Sequence, residues 1–302
     1  MRRRLIAAAA VSAVALAGAG LAANANAEGA ESADPELSLA EPTGDSEVGV
    51  TSMHLTDDDR ADPWVPEEKR ELMLSVWYPA EDDDGETAPY MTEAESELFT
   101  QQFDIEVPAD ILNRVETNAH PDARPDADAG KAPLIVFSPG FSFPRATLTG
   151  LAEDLASRGY VVAAVGHNYE APISFPDGRT TECKACESED MEKVVKGRVD
   201  DLSFVLDTLT GDKAKWKGAG LIDTDRILAG GHSIGGASSY ATMLADERVD
   251  AGFNMDGTFF LEGDKDLNRP FMMLGAAEHG EPGGDDTWDS TWPKLSGWKR
   301  WL

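Results

Sequence analysis

The chain has 302 residues and a formal net charge of −30, with 56 acidic residues against 26 basic ones. So strong a negative balance is repelled by nucleic acid and by anionic bilayers at distances up to the Debye length, and neither is an expected partner. The length fits one α/β domain built on a single large sheet.

Residues 1–27 carry Arg2, Arg3 and Arg4, an Ala/Val/Leu run to Ala23, and Ala25-Asn26-Ala27. Basic start, apolar run and small-x-small end predict a secretory signal peptide. The apolar run is mostly alanine and glycine with no stop-transfer feature after it, which argues against a membrane anchor. Export without stable membrane anchoring is expected, and the exported chain keeps 23 basic against 56 acidic residues, a formal charge of −33. Glu28 to about Glu47 is acidic and aperiodic, and is expected to be a flexible leader. The domain is expected to span 48–302.

ELMLSVWYPA (71–80) sets Leu72, Leu74, Val76 and Tyr78 on one side, the pattern of a half-buried strand ending at Pro79. From Glu81 to Gly130 the chain is acid-rich and proline-punctuated, a surface excursion with a helix around Glu93 to Phe103. After Lys131, short apolar runs alternate with helical periods, which predicts βαβ units and a mostly parallel sheet with helices on both faces. PLIVFS (133–138) and YVVAAV (160–165) are the first such strands, separated by a helix with Leu148, Leu151 and Leu155 on its face and Gly159 as its stop.

Cys183 and Cys186 are the two cysteines. In an exported protein a lone pair points to a local disulfide. The alternatives are a metal site, which needs two further ligands, and a redox motif, which needs CxxC at a helix start after a strand. Val195, Val199, Leu202, Leu206 and Leu209 then share one helical stripe. RILAGG (226–231), AGFNMD (251–256) and PFMMLG (270–275) read as three more buried strands. Trp292 to Leu302 reads as a last helix, which leaves the outer edge of PFMMLG unpaired and the domain C-terminally incomplete by one strand.

GGHSIGG (230–236) holds Gly231, Ser233 and Gly235 in a G-x-S-x-G pattern. Placed after a buried strand and before a helix, it is the context of a nucleophile elbow. Ser233 is the expected nucleophile, and His232 is expected to point away from it and pack. Acyl transfer needs two N–H groups aimed at the developing oxyanion. Ile234, at the helix N-terminus, and Phe141, in the loop SPGFSFPR after PLIVFS, are the expected donors. Asp256 ends its strand at the same sheet edge and is the expected acid, whereas Asp223 and Asp225 lie at the opposite edge.

The runs APLIVFSPGFSFPRATLTGLAEDLASRGYVVAAVGHNYE and GGHSIGGASSYATMLADERVDAGFNMDG resemble the plasma-type platelet-activating factor acetylhydrolase family and its bacterial secreted relatives among the α/β-hydrolases. The resemblance runs from about Leu72 onward. It implies that the GHSFGG-type elbow serine is Ser233 and that the acid of the LDA-type turn is Asp256. The HGLG-type loop aligns with Pro139 to Ser142, so the loop donor is Phe141, with Pro139 in place of the motif histidine. The family's base follows one further strand, in a GxxH-type turn, and is expected beyond Leu302. Of the histidines present, His54, His120, His167 and His232 are poorly placed, and His279 after PFMMLG is the alternative. The implied activity is that of a secreted serine esterase acting on short-acyl or oxidised phospholipid-like esters, with no metal or organic cofactor. A cutinase-like polyester or triglyceride esterase, and a non-catalytic binding protein without its histidine, are the competing readings.

Overall fold

The computed structural model describes residues 37–81, 85–188, 190–211, 214–261, 263, 265–276 and 279–302. The signal-peptide expectation falls outside them. In chain order the elements are β1 (Glu47–Ala61), β2 (Lys69–Ala80), α1 (Glu93–Gln102), β3 (His120–Pro121), β4 (Ala132–Ser138), α2 (Thr149–Ser157), β5 (Val161–His167), β6 (Ile173–Ser174), β7 (Thr180–Thr181), α3 (Met191–Leu209), β8 (Ile222–His232), α4 (Ile234–Ala245), β9 (Ala251–Met255), β10 (Phe271–Leu274), α5 (Asp286–Thr291) and β11 (Lys299–Trp301).

Nine strands form one sheet in the order β11-β10-β9-β8-β4-β5-β2-β1-β3. From β5 to β11 every neighbouring pair is parallel. β2 joins β5 antiparallel and forms a long hairpin with β1. The period of two sorts the central strands between two cores. Leu134, Val136, Val161 and Ala163 pack with Val195, Leu202 and Leu206 of α3 and Ile234 and Tyr240 of α4. Ile135, Phe137, Val162 and Ala164 pack with Ala152 and Ala156 of α2 on the other face. The α/β-hydrolase architecture read from the sequence is therefore present, and the C-terminal ends of β4, β8, β9 and β10 share one edge.

Helix starts follow local chemistry. Thr92 and Glu95 close a capping box on α1, and Asp190 caps α3 by accepting from the Lys193 N–H at 2.9 Å.

The structure departs from several of these expectations. β2 is buried on both faces from Leu72 to Ala80, not on one, because both cores close over it. Leu151 is exposed, and α2 instead turns Ala152 and Ala156 inward. The second half of the expected leader is tied down. Leu39 N–H donates to the Glu116 carbonyl, Ser46 N–H donates to the Ser157 carbonyl, and Thr43 bonds Asp154. The largest correction concerns Trp292 to Leu302, which is not a helix. One short 3-10 turn (Trp292–Lys294) leads to β11, which pairs parallel with β10 and covers the edge expected to be bare. The tryptophan spacing mimicked a helical stripe, but Gly297 lies so near Asn268 that an added Cβ would sit 2.2 Å from its carbonyl oxygen, and the chain must run extended there.

Candidate active site

β8 delivers Ser233 onto a turn that ordinary residues avoid. Ser233 has φ 54° and ψ −128°, and α4 begins at the next residue. The strain is held by close backbone packing. A Cβ on Gly231 would lie 2.2 Å, and on Gly235 1.9 Å, from the Ser138 carbonyl oxygen at the end of β4. Neither position can carry a side chain unless the two strand ends part. Ser233 N–H donates to the Met255 carbonyl at 2.7 Å, which ties the elbow to β9.

The acid stands beside it. Asp256 follows β9 with φ 59°, and its N–H donates to the Leu274 carbonyl at 2.7 Å. Asn254, fully buried, bonds both the Gly257 N–H (2.9 Å) and the Gly257 carbonyl (2.6 Å), and so closes the turn that aims Asp256. Asn-x-Asp-Gly is the sequence signal of such an Asx-type turn, although Asn254 also fits the apolar strand pattern of AGFNMD.

Both expected oxyanion donors lie at this edge. A Cβ on Gly235 would sit 2.7 Å from the Pro139 oxygen, so the loop carrying Phe141 packs directly on the first turn of α4. Among the described residues neither the Phe141 nor the Ile234 amide has a protein acceptor. Unpaired amides at the positive end of a helix are poised to receive an anion. His232 packs as expected, edge-on to Phe143 at 6.3 Å, and burial pushes its pKa down despite the charge of Asp256. Phe143 also meets Phe99 and Phe103 of the α1 region at 5.4 and 5.5 Å, an aromatic cluster beside the elbow.

His279 reaches Asp256, but in an orientation that differs from a general base. Its Nδ1 lies 2.8 Å from Asp256 Oδ1, while its Nε2 lies 3.0 Å from Asp285 Oδ2. The ring stacks on Trp288 at 4.8 Å. Burial lowers its pKa, but hydrogen bonds and charges from Asp256 and Asp285 outweigh burial and raise it overall. An imidazole between two carboxylates donates from both nitrogens and is held protonated. Asp256 is lowered, chiefly by the His279 hydrogen bond. Among the described residues no imidazole nitrogen bonds the Ser233 hydroxyl, and Asp256 Oδ2 has no partner. Asp285, which caps α5 and also accepts from Thr258 at 2.8 Å, was not anticipated from the sequence.

Cys183 and Cys186 form a disulfide. Among the described residues no group of three or more His, Cys, Asp or Glu is placed to hold a metal ion, and no helix is long and apolar enough to cross a membrane.

Comparison with known proteins gives consistent results. Residues 34–200, which include the Phe141 loop but stop before the elbow, match the family pattern of platelet-activating factor acetylhydrolase, isoform II. A probable 1-alkyl-2-acetylglycerophosphocholine esterase of Arthroderma benhamiae is 26% identical, over 87% of this chain and 73% of that protein. The platelet-activating factor acetylhydrolase of Bos taurus is 29% identical, over 46% of this chain and 38% of its own length. Among solved structures, a ferulic acid esterase from Streptomyces cinnamoneus superposes with a TM-score of 0.80 at 43% identity, covering 88% of this chain and 76% of that one.

Proposed function

Because the chain belongs to the platelet-activating factor acetylhydrolase, isoform II family and is a carboxylic ester hydrolase, we propose that it works through Ser233 as an exported serine esterase. The observation that carries this reading is Ser233 at φ 54° beside two amides without acceptors, those of Phe141 and Ile234. Ser233 Oγ attacks the ester carbonyl and gives its proton to an imidazole that Asp256 orients. The oxyanion is held by the Phe141 and Ile234 N–H groups. Collapse returns the proton to the leaving alcohol and leaves an acyl-serine, which water then cleaves with the imidazole as base.

The base in this reading is an imidazole seated on the open Asp256 Oδ2. Leu302 follows β11, and Gly275 N–H donates to the Leu302 carbonyl at 2.8 Å. Residues following Leu302 in a longer gene product would emerge at the edge that carries Ser233 and Asp256, because β8, β9, β10 and β11 run parallel. His279 is the alternative and would have to release Asp285 first. Harmless replacement of His279 by alanine supports the first source; loss of Ser233 labelling in that variant promotes His279.

Short-acyl or oxidised phospholipid-like esters fit the family and the acidic surface, which gives no attraction to anionic interfaces. Export is supported by the disulfide and by the N-terminal sequence pattern. A second reading, hydroxycinnamate esters, is favoured by the Phe99, Phe103 and Phe143 cluster and by the similarity to the ferulic acid esterase. A fluorophosphonate probe should label Ser233 and leave Ser233→Ala unmodified; labelling that survives the substitution sinks the nucleophile assignment. Turnover of acetyl phospholipids against methyl ferulate ranks the two substrate classes. Faster turnover of long-chain triglyceride emulsions than of either counts against both.

A further inference from the structure

Beneath the elbow lies a polar network that the ester chemistry above does not use. Ser138 ends β4, His167 ends β5 and Asp201 sits within α3, and they are 0%, 2% and 0% exposed. His167 Nδ1 lies 2.7 Å from Asp201 Oδ2, and His167 Nε2 lies 2.9 Å from Ser138 Oγ. Arg198, nearly one turn before Asp201, reaches Ser138 Oγ at 3.1 Å and the Pro139 carbonyl at 2.5 Å, and its Nε donates to Glu170 at 2.7 Å. Arg70 spans Asp201, Asp62 and the Asn168 carbonyl, and Arg60 adds a second cation to Asp201.

The charges decide the hydrogen positions. Asp62, Glu170 and Asp201 are paired with Arg70 and Arg198, and Arg60 is shared between Asp201 and Asp57, so each buried carboxylate already has a guanidinium partner without a charge on His167. Burial first, then the Arg198 charge, push the His167 pKa down. A neutral His167 donating from Nδ1 to Asp201 accepts at Nε2, so the Ser138 hydroxyl donates to His167 and its oxygen accepts from Arg198. Each hydrogen in the run from Arg198 to Asp201 has one direction.

The residue types and spacings are those of a catalytic triad, but no ester reaches a hydroxyl with zero exposure. What the network grips is the oxyanion loop. Ser138 O and Pro139 O are the atoms against which Gly231 and Gly235 pack, so the loop is pressed by the elbow on one side and held by Arg198 on the other. The Pro139 carbonyl shares a planar peptide with Gly140 N, so fixing it leaves few free torsions before the Phe141 amide.

We propose that Arg198, braced by Ser138, His167 and Asp201, is the positioning residue of the oxyanion loop, holding the Pro139 peptide so that the Phe141 N–H faces the same space as that of Ile234. This rests on the reading of those two amides as the oxyanion donors, so the test pairs an activity readout with one that needs no turnover. Arg198→Lys and Ser138→Ala are compared with the unsubstituted chain for melting behaviour, kinetics on a soluble acetyl ester, and the amide spectrum of protein labelled with ¹⁵N-phenylalanine. With a donor held loosely instead of lost, kcat should fall about 10- to 100-fold, short of the roughly 10²–10³ of a deleted donor. KM should stay within about twofold, because the interaction is made in the transition state. Among the 11 phenylalanines, the Phe141 cross-peak, assigned through Phe141→Leu, should shift or broaden while those remote from the loop stay put. If Arg198→Lys does not fold, Ser138→Ala decides, since it deletes one hydroxyl. Folded variants with unchanged kcat and an unmoved Phe141 cross-peak overturn the proposal. If Ser233→Ala is as active as the parent, the reading of Ser233 as nucleophile has failed, and the cross-peak alone then upholds or overturns the positioning role.

Discussion

Two serine, histidine and aspartate sets meet at one sheet edge in this protein, Ser138–His167–Asp201 beneath the elbow and Ser233 with Asp256 and His279 above it. The lower set has the hydrogen-bond order of a triad and is sealed. The upper set lacks that order, since His279 turns its Nε2 to Asp285, yet all three of its residues are partly exposed. Linear proximity of the three groups therefore does not mark a nucleophile. Backbone strain, access and amides without acceptors do, and Ser233 has all three whereas Ser138 ends a regular strand.

The largest expected contrast is between the two serines. Ser233→Ala should remove probe labelling and cost about 10⁴-fold or more in ester turnover. Ser138→Ala should still label at Ser233. A mass-spectrometric map of the labelled peptide checks this, and label found on Ser138 would break the comparison outright.

The two aspartates should separate activity from stability. Asp256→Asn keeps the fold and should lower turnover by about 10⁴-fold, the cost of a misoriented imidazole. Asp201→Asn removes the buried carboxylate shared by Arg70, Arg60 and His167, leaves Arg70 with Asp62 and the Asn168 carbonyl, and should cost about 3–5 kcal/mol of stability, read by denaturant unfolding. Equal stability losses in both variants would show that Asp256 is as structural as Asp201.

The sequence made the open set legible and the sealed one not. Ser233, Asp256 and Phe141 sit in local patterns, a glycine-flanked turn or a strand end, whose chemistry is readable within a few residues. Ser138, His167 and Asp201 come from three separate elements and look like ordinary strand-end and helix positions, and only the parallel register of β4 with β5 under α3 assembles them. The parallel core strands were legible because they are short apolar runs. β11 was not, because Trp298 and Trp301 fall at helical spacing from Trp292 and Leu295, and the close approach at Gly297 is a tertiary fact. Arg198, three residues after Val195 and four before Leu202, lies beside the stripe read for α3 on its buried face, where a charge has no local signal for what receives it. Its burial depends on Glu170 and on the Pro139 carbonyl.

The smallest expected effect sharpens the comparison by sign. Both histidines start from an ordinary value of 6.5; His279 is raised in the fold and His167 lowered. A raised group contributes stability that is whole below its ordinary value and fades as pH climbs through the folded one. His279→Ala should therefore cost a few degrees of melting temperature at about pH 5.5 and less at about pH 8.5. A lowered group behaves in the opposite way. Stability tied to neutral His167 is whole above its ordinary value and is lost as acid forces a proton into the sealed network. Replacing His167 by glutamine destabilises at every pH but should flatten the decline between about pH 6.5 and 5, a window above the ordinary 3.8 of Asp201 and Asp256, whose own pKa values are lowered. Melting curves across that range check both signs. A gap for His279→Ala that widens toward alkaline pH would mean that the imidazole is not clamped as a cation between Asp256 and Asp285. A His167→Gln slope parallel to the parent's would mean that water or movement lets the sealed chain take up a proton, and the fixed hydrogen directions assigned to Arg198, Ser138 and His167 would then be wrong.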